Sequence, residues 1–123
     1  MLKPDPADPI VVTGMGAVSP LGVGVDALWQ GLVAGRSGIV HNDRFDTADF
    51  VSHIAGLVPT RDKHPNGFDP ADFIDGKEIK KMDLFIQYAI GAAAEALDQA
   101  GWHPTSPEDQ AATATIIGSG VAA

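Results

Sequence analysis

The sequence predicts an α/β fold built on a parallel sheet, and three observations predict it. Two β-branched runs, IVVT at 10–13 and ATATII at 112–117, each end in glycine, as a buried strand does where it meets a turn. Two segments between them, 25–33 and 82–100, repeat apolar residues at the three-to-four spacing of a helix. Strands separated by helices of that length pair in parallel, because the crossover returns the chain to the same end of the sheet.

Each element has its own local signal. The run at 10–13 is closed by Gly14. In the next segment Val25, Leu28, Trp29, Leu32 and Val33 fall on one helical face, and Gly35 stands where a left-handed residue ends a helix. Residues 36–53 read as an irregular loop anchored by Ile39, Phe45 and Phe50. HIAGLVP at 53–59 reads as a short strand stopped by Pro59, and RDKHPNGFDP at 61–70 is turn chemistry, with Asp69-Pro70 favouring a helix start.

The segment 82–100 is the strongest element. Phe85, Tyr88, Ala89, Ala92, Ala93, Ala96, Leu97 and Ala100 recur at helical spacing, and its many Gly and Ala residues let neighbours approach the backbone closely. Gly101 ends it, and Ser106-Pro107-Glu108 marks one more short helix start.

A parallel sheet needs cover on both faces. Two or three strands and two good helices do not supply both layers. The chain is therefore expected to form the front part of a larger domain, with 1–8 a disordered or tag-like lead and 9–123 the N-terminal portion of that domain.

Composition narrows the function. The 123 residues suit one domain, and with 45% apolar but only 7% aromatic residues its core rests on Ala, Val, Ile, Leu and Gly. A formal charge of −8 argues against a general nucleic-acid binder, since no global positive field attracts phosphates. The absence of cysteine removes disulfides, thiolate metal sites and thiol catalysis by this chain. MLKPDPADP lacks the apolar stretch of a secretory signal, and AIGAAAEAL is interrupted by Glu95 and too short to span a bilayer. A cytoplasmic protein without nucleic-acid or membrane partners is expected.

VVTGMGAVSPLG at 11–22 invites a nucleotide-loop reading, which its details oppose. The third glycine of a dinucleotide fingerprint would fall at Ser19, and Pro20 would lie inside the first helical turn that holds the phosphate. No acidic residue closes a second strand about 20 residues on, and no Gly-Lys-Ser/Thr follows. Ser37 and Ser119 lack the flanks of a nucleophile elbow and read as turn formers. His41, His53, His64 and His103 show no ligand spacing, so neither a metal nor a cofactor is expected. In GKEIKKMD, Lys77, Lys80 and Lys81 stand at i, i+3 and i+4, so one helical face would carry all three. That face is either a solvated surface beside Glu78 and Asp83 or a docking patch for an acidic partner.

In order, VVTGMGAVSPLG, LWQGLVAGRSGI, FDTADF, HIAGLVP, KKMDLFIQYAIGAAAEAL and IIGSG resemble the start of the β-ketoacyl-acyl-carrier-protein synthases, closest to the elongating, synthase II type. The resemblance covers residues 10–121. It implies the first part of a thiolase-like layered αβαβα fold, incomplete in this chain, and a homodimer as the full-length protein. The activity it implies is acyl transfer in fatty-acid biosynthesis. Acyl carrier protein delivers an acyl group to a Cys nucleophile, malonyl-carrier protein is decarboxylated, and the resulting carbanion attacks the thioester. Two His residues of the second half support decarboxylation and the oxyanion.

None of those groups is here, so no catalytic residue is assigned and the chain alone is expected to be inert. What the resemblance does carry over lies at the periphery. Lys77, Lys80 and Lys81 match basic positions that dock the acidic helix of acyl carrier protein. Val121 matches a position lining the acyl-chain pocket near the dimer interface, and Val in place of the common Ile admits longer chains. Ala122-Ala123 departs from the glycines that usually follow. Three other readings compete: a chain-length-factor or polyketide condensing subunit, a non-catalytic interaction fragment, and a nucleotide-binding module.

Overall fold

The computed structural model describes residues 7–120. Its main beam is α3, Leu84–Ala100, about 26 Å long at about 1.5 Å per residue. The helix stops at Gly101, which takes the left-handed conformation (φ 62°, ψ 26°). The Trp102 and Gly101 N–H groups then reach back to the carbonyls of Leu97 and Asp98, both at 3.1 Å, and so satisfy the last turn. The small-residue composition does what it predicts. The loop at 14–17 lies directly on the helix backbone, and a Cβ at Gly14 or Gly16 would overlap the carbonyl oxygen of Ala96 or Ala92. Neither glycine has a positive φ, so both are required by close approach and not by a turn.

On another side of α3, Gly91 leaves room for aromatic rings. Phe68 comes within 3.0 Å of where a Gly91 Cβ would stand. Phe68 stacks on Phe73 at 5.8 Å between centroids and meets the Tyr88 edge at 4.9 Å. Phe68, Ile74 and Ala27 are the buried apolar residues among those described.

The N-terminal half is a small hairpin feeding a helix. β1 (Val18–Ser19) pairs antiparallel with β2 (Gly22–Val23) across Pro20-Leu21. The Ser19 hydroxyl closes the turn, accepting from the Leu21 N–H at 3.2 Å and donating to the Gly22 carbonyl at 3.3 Å. Helix α1 (Val25–Val33) follows, and Gly35 (φ 64°) ends it as expected. The face of α1 that packs is not the large apolar one. Ala27 and Gly31 are buried, one turn apart, with Gly31 seated against Leu21, while Trp29, Leu32 and Val33 point outward and Trp29 is 60% exposed. Small residues one turn apart let the hairpin close on the helix, leaving the larger face without cover.

The remaining elements are short. β3 (Ile39–His41) lies inside the stretch read as loop and pairs antiparallel with β4 (Ile54–Gly56), the core of the strand expected at 53–59. Asp69-Pro70 starts a single 3-10 turn, Pro70–Asp72, with the Asp69 carboxylate accepting from the Ala71 N–H at 2.9 Å. α2 spans Gly76–Ile79, and α4 (Pro107–Ala111) is capped by Ser106 as its sequence predicts.

The sheet departs from expectation. The described strands form two antiparallel two-stranded ladders, and neither 10–13 nor 112–117 is a strand. A β-branched run becomes a strand only where a neighbouring backbone accepts and donates its hydrogen bonds. Among the described residues none lies beside these two runs, and Ile10 and Ile116 are 92% and 94% exposed. Part of the lead expected at 1–8 falls within 1–6, outside the described residues.

Candidate functional site

The three lysines sit on a tight corner between α2 and α3. Asp75 opens α2, its carboxylate accepting the Lys77 N–H at 3.0 Å. The helix lasts four residues, too few to carry the whole expected face. Lys77 is helical, Lys80 is the C-cap (φ −68°, ψ −12°), and Lys81 lies in the turn beyond. That turn is closed by Lys81 N–H to the Glu78 carbonyl at 2.9 Å and Met82 N–H to the Ile79 carbonyl at 3.2 Å. All three side chains are exposed. Lys81 pairs with the Glu78 carboxylate at 2.7 Å, whereas Lys77 and Lys80 form no ion pair among the described residues. Two free ammonium groups and one partly balanced one thus project from a corner of an otherwise acidic chain.

Beneath the corner lies a residue that no sequence signal singled out. Gln87 is 6% exposed, and its amide Nε2 donates to the Met82 carbonyl at 2.8 Å and the Ile79 carbonyl at 3.4 Å. A glutamine inside an apolar helical repeat reads as part of the solvent face unless the chain folds back over it.

The glycine loop is not an anion cradle. Three backbone donors around it already serve the fold: Met15 N–H donates to Gln99 Oε1 at 2.6 Å, Ala17 N–H to Glu95 Oε2 at 2.9 Å, and Val25 N–H to Glu95 Oε1 at 2.8 Å. The Glu95 carboxylate stands at the N-terminus of α1, where the helix dipole would otherwise receive a phosphate. A carboxylate in that place repels an anion, which weighs against the nucleotide-binding alternative.

The other candidates are scattered. The Ser37 hydroxyl accepts the Ile39 N–H at 3.2 Å and forms a turn, and Ser119 is exposed. His53 meets Thr47 at 3.2 Å, His64 accepts the Asn66 N–H at 3.1 Å, and His103 lies 3.4 Å from Asp98. No group of three or more His, Cys, Asp or Glu converges among the described residues. Val121 lies outside the described residues.

A cleft of about 870 Å³ opens between the Pro20-Leu21 turn, β3 and residues 57–64. Asp43 and Lys63 form an ion pair at its wall, 2.7 Å apart. The ammonium group holds the Asp43 carboxyl below its usual value by hydrogen bond and charge, and the carboxylate raises Lys63. The two residues are 20 apart in an aperiodic stretch, so nothing in the sequence joins them.

No helix of the described residues is long and apolar enough to cross a membrane. Comparison with known proteins brings the corner and the loop into one family. Residues 7–123 match the family described as "Beta-ketoacyl synthase, N-terminal domain". The 3-oxoacyl-(acyl-carrier-protein) synthase 2 of Vibrio cholerae is 44% identical over 112 residues, which are 91% of this chain and 25% of the relative. The Rhizobium meliloti protein of the same name is 41% identical over 112 residues, 91% of this chain and 27% of the relative. A putative mitochondrial 3-oxoacyl-(acyl-carrier-protein) synthase of Schizosaccharomyces pombe is 36% identical over 113 residues and 26% of its length. Among solved structures, the ishigamide ketosynthase/chain length factor matches with a TM-score of 0.63 and 37% identity, over 80% of this chain and 22% of that one. The chain thus spans about a quarter of the length of these relatives. The match over 7–123, together with a partial α/β architecture that superposes on a thiolase-like ketosynthase, shows that the chain belongs to the β-ketoacyl synthase family.

Proposed function

We propose that the chain is the N-terminal segment of an elongating β-ketoacyl-acyl-carrier-protein synthase, which acts in the cytoplasm as a homodimer. The full enzyme would join an enzyme-bound acyl thioester to malonyl-carrier protein. A carbon–carbon bond forms as CO2 leaves, one proton is taken up, and the enzyme thiol is released beside 3-oxoacyl-carrier protein. With no cysteine, this segment supplies no nucleophile. Its share of the work is to scaffold and to dock. The Gly14–Gly24 loop is clamped on α3 and presents the start of the domain, Val121 lines the acyl pocket, and Lys77, Lys80 and Lys81 receive the acidic helix of the carrier protein.

The observation that supports docking best is the exposed lysine corner, with two ammonium groups that form no ion pair among the described residues, in a chain of net charge −8. Opposite charge across such an interface speeds encounter and sets register. Lys77→Glu, Lys80→Glu and Lys81→Glu combined in the full-length synthase should raise the KM for carrier-bound substrate at least tenfold, since like charges now face each other. An unchanged KM would sink the docking role.

The structural likeness to a ketosynthase/chain length factor keeps one second reading in play. A chain-length-factor subunit would share this segment and lack the nucleophile. Iodoacetamide labelling of the full-length protein separates the two, because only a condensing enzyme offers a reactive Cys that acyl-carrier protein protects.

A further inference from the structure

We propose that Gln87 is the positioning residue of the lysine corner, its buried amide fixing the turn that presents Lys80 and Lys81 to the carrier protein. The inference rests on the docking reading of those lysines and deepens it. The two carbonyls that Gln87 holds, Ile79 and Met82, are the pair that brackets Lys80 and Lys81 in the chain. Both are acceptors, so the end of the amide facing them is its NH2 group. Gln87 is one of only two buried polar side chains among the described residues, and a buried amide is retained where its bonds are made.

The corner needs such a tie. α2 is four residues long, and a helix of one turn does not sustain itself, because nucleation costs more than one bond returns. Its Asp75 cap accepts only the Lys77 N–H, at the start of the helix. At the other end, Lys80 and Lys81 leave the backbone where α2 stops, so the direction of both side chains follows the φ and ψ of that turn. Gln87 joins this turn to α3, a helix of 17 residues. Without the tie the charges remain, but they spread over more orientations, and docking must then order them.

Gln87→Met in the full-length synthase keeps the volume and removes the donors. The expected result is a KM for acyl- or malonyl-carrier protein raised about fivefold, which corresponds to about 1 kcal/mol, the worth of a typical hydrogen bond. The kcat, and the KM for the same acyl group carried on coenzyme A, should not move, because that thioester presents no acidic helix. Added to the triple Lys→Glu variant, Gln87→Met should not raise carrier KM further, since no lysine remains to be presented. Gln87→Asn, a second variant that keeps the donor but is one methylene shorter, should fall between wild type and Gln87→Met.

An equal rise in the coenzyme A KM, or a fall in kcat, would show a general packing role and overturn the proposal. Unfolding of both variants would do the same. If the triple lysine variant leaves carrier KM unchanged, the docking reading fails and takes this inference with it. If the triple variant raises carrier KM and neither Gln87 variant does, the inference alone fails.

Discussion

Glu95, deep in α3, accepts the backbone N–H of Val25 at 2.8 Å and so fixes the start of α1 against the main helix. Its second oxygen accepts the Ala17 N–H at 2.9 Å, before the hairpin. One carboxylate therefore holds both sides of the β1–β2 hairpin, and it interrupts the run AIGAAAEAL for that reason.

Glu95→Gln tests the clamp. Both oxygens accept, so an amide of the same shape turns its NH2 group toward one of the two N–H donors. Hydrogen bonds to a charged acceptor are worth about 1.5–3 kcal/mol, and the negative charge at the α1 N-terminus adds a few tenths more. We expect a loss of about 2 kcal/mol in the urea unfolding free energy of the full-length synthase. A variant as stable as wild type would show the two bonds to be incidental.

The contact between Gly16 and Ala92 gives a second test. A methyl group at residue 16 overlaps the Ala92 carbonyl, which belongs to the helix backbone and does not swing aside. Gly16→Ala should therefore cost about 3 kcal/mol, the upper range for overpacking, by pushing the 14–17 loop off α3. Gly76→Ala is the control: nothing lies within 4 Å of its Cβ, its φ is not positive and it sits on the exposed lysine corner, so stability should change by less than about 0.5 kcal/mol. Equal melting temperatures for the two variants would contradict the close approach.

What was legible in the sequence follows from which interactions are local. Helix ends were readable because Gly35, Gly101, Ser106 and Asp69 act on backbone groups a few residues away. The lysine spacing was readable too, though the helix under it proved shorter because Gly76–Ile79 has only one turn to offer. Glu95, Gln87 and Gln99 were not readable as ties, since each meets backbone that is five to 84 residues distant and their letters look like solvent face. The role of Gly14 and Gly16 was not readable for the same reason: their contact with Ala96 and Ala92 exists only in the fold. The strands at 10–13 and 112–117 were over-read, because β-branched residues fit a sheet without supplying the neighbour that makes one.

Those two runs and the outer face of α1 lead to the last prediction. Ile10, Val11, Val12, Trp29, Leu32, Val33, Ile116 and Ile117 are all largely exposed, and no large side chain among the described residues is fully enclosed. A folded monomer rarely leaves so many large apolar groups in water, because each one buried is worth about 1.5–3 kcal/mol. The relatives are about four times as long, which supplies ample chain to cover these faces. The 123 residues expressed alone should therefore bind a hydrophobic dye, melt without a cooperative transition and tend to aggregate. Both tryptophans, Trp29 and Trp102, should be open to iodide quenching in that state. In the full-length synthase Trp29 should be shielded and the dye released. A sharp cooperative melt of the isolated chain as a monomer would mean that Phe68, Ile74, Ala27 and the α3 clamp suffice as a core, and that the exposed faces need no partner layer.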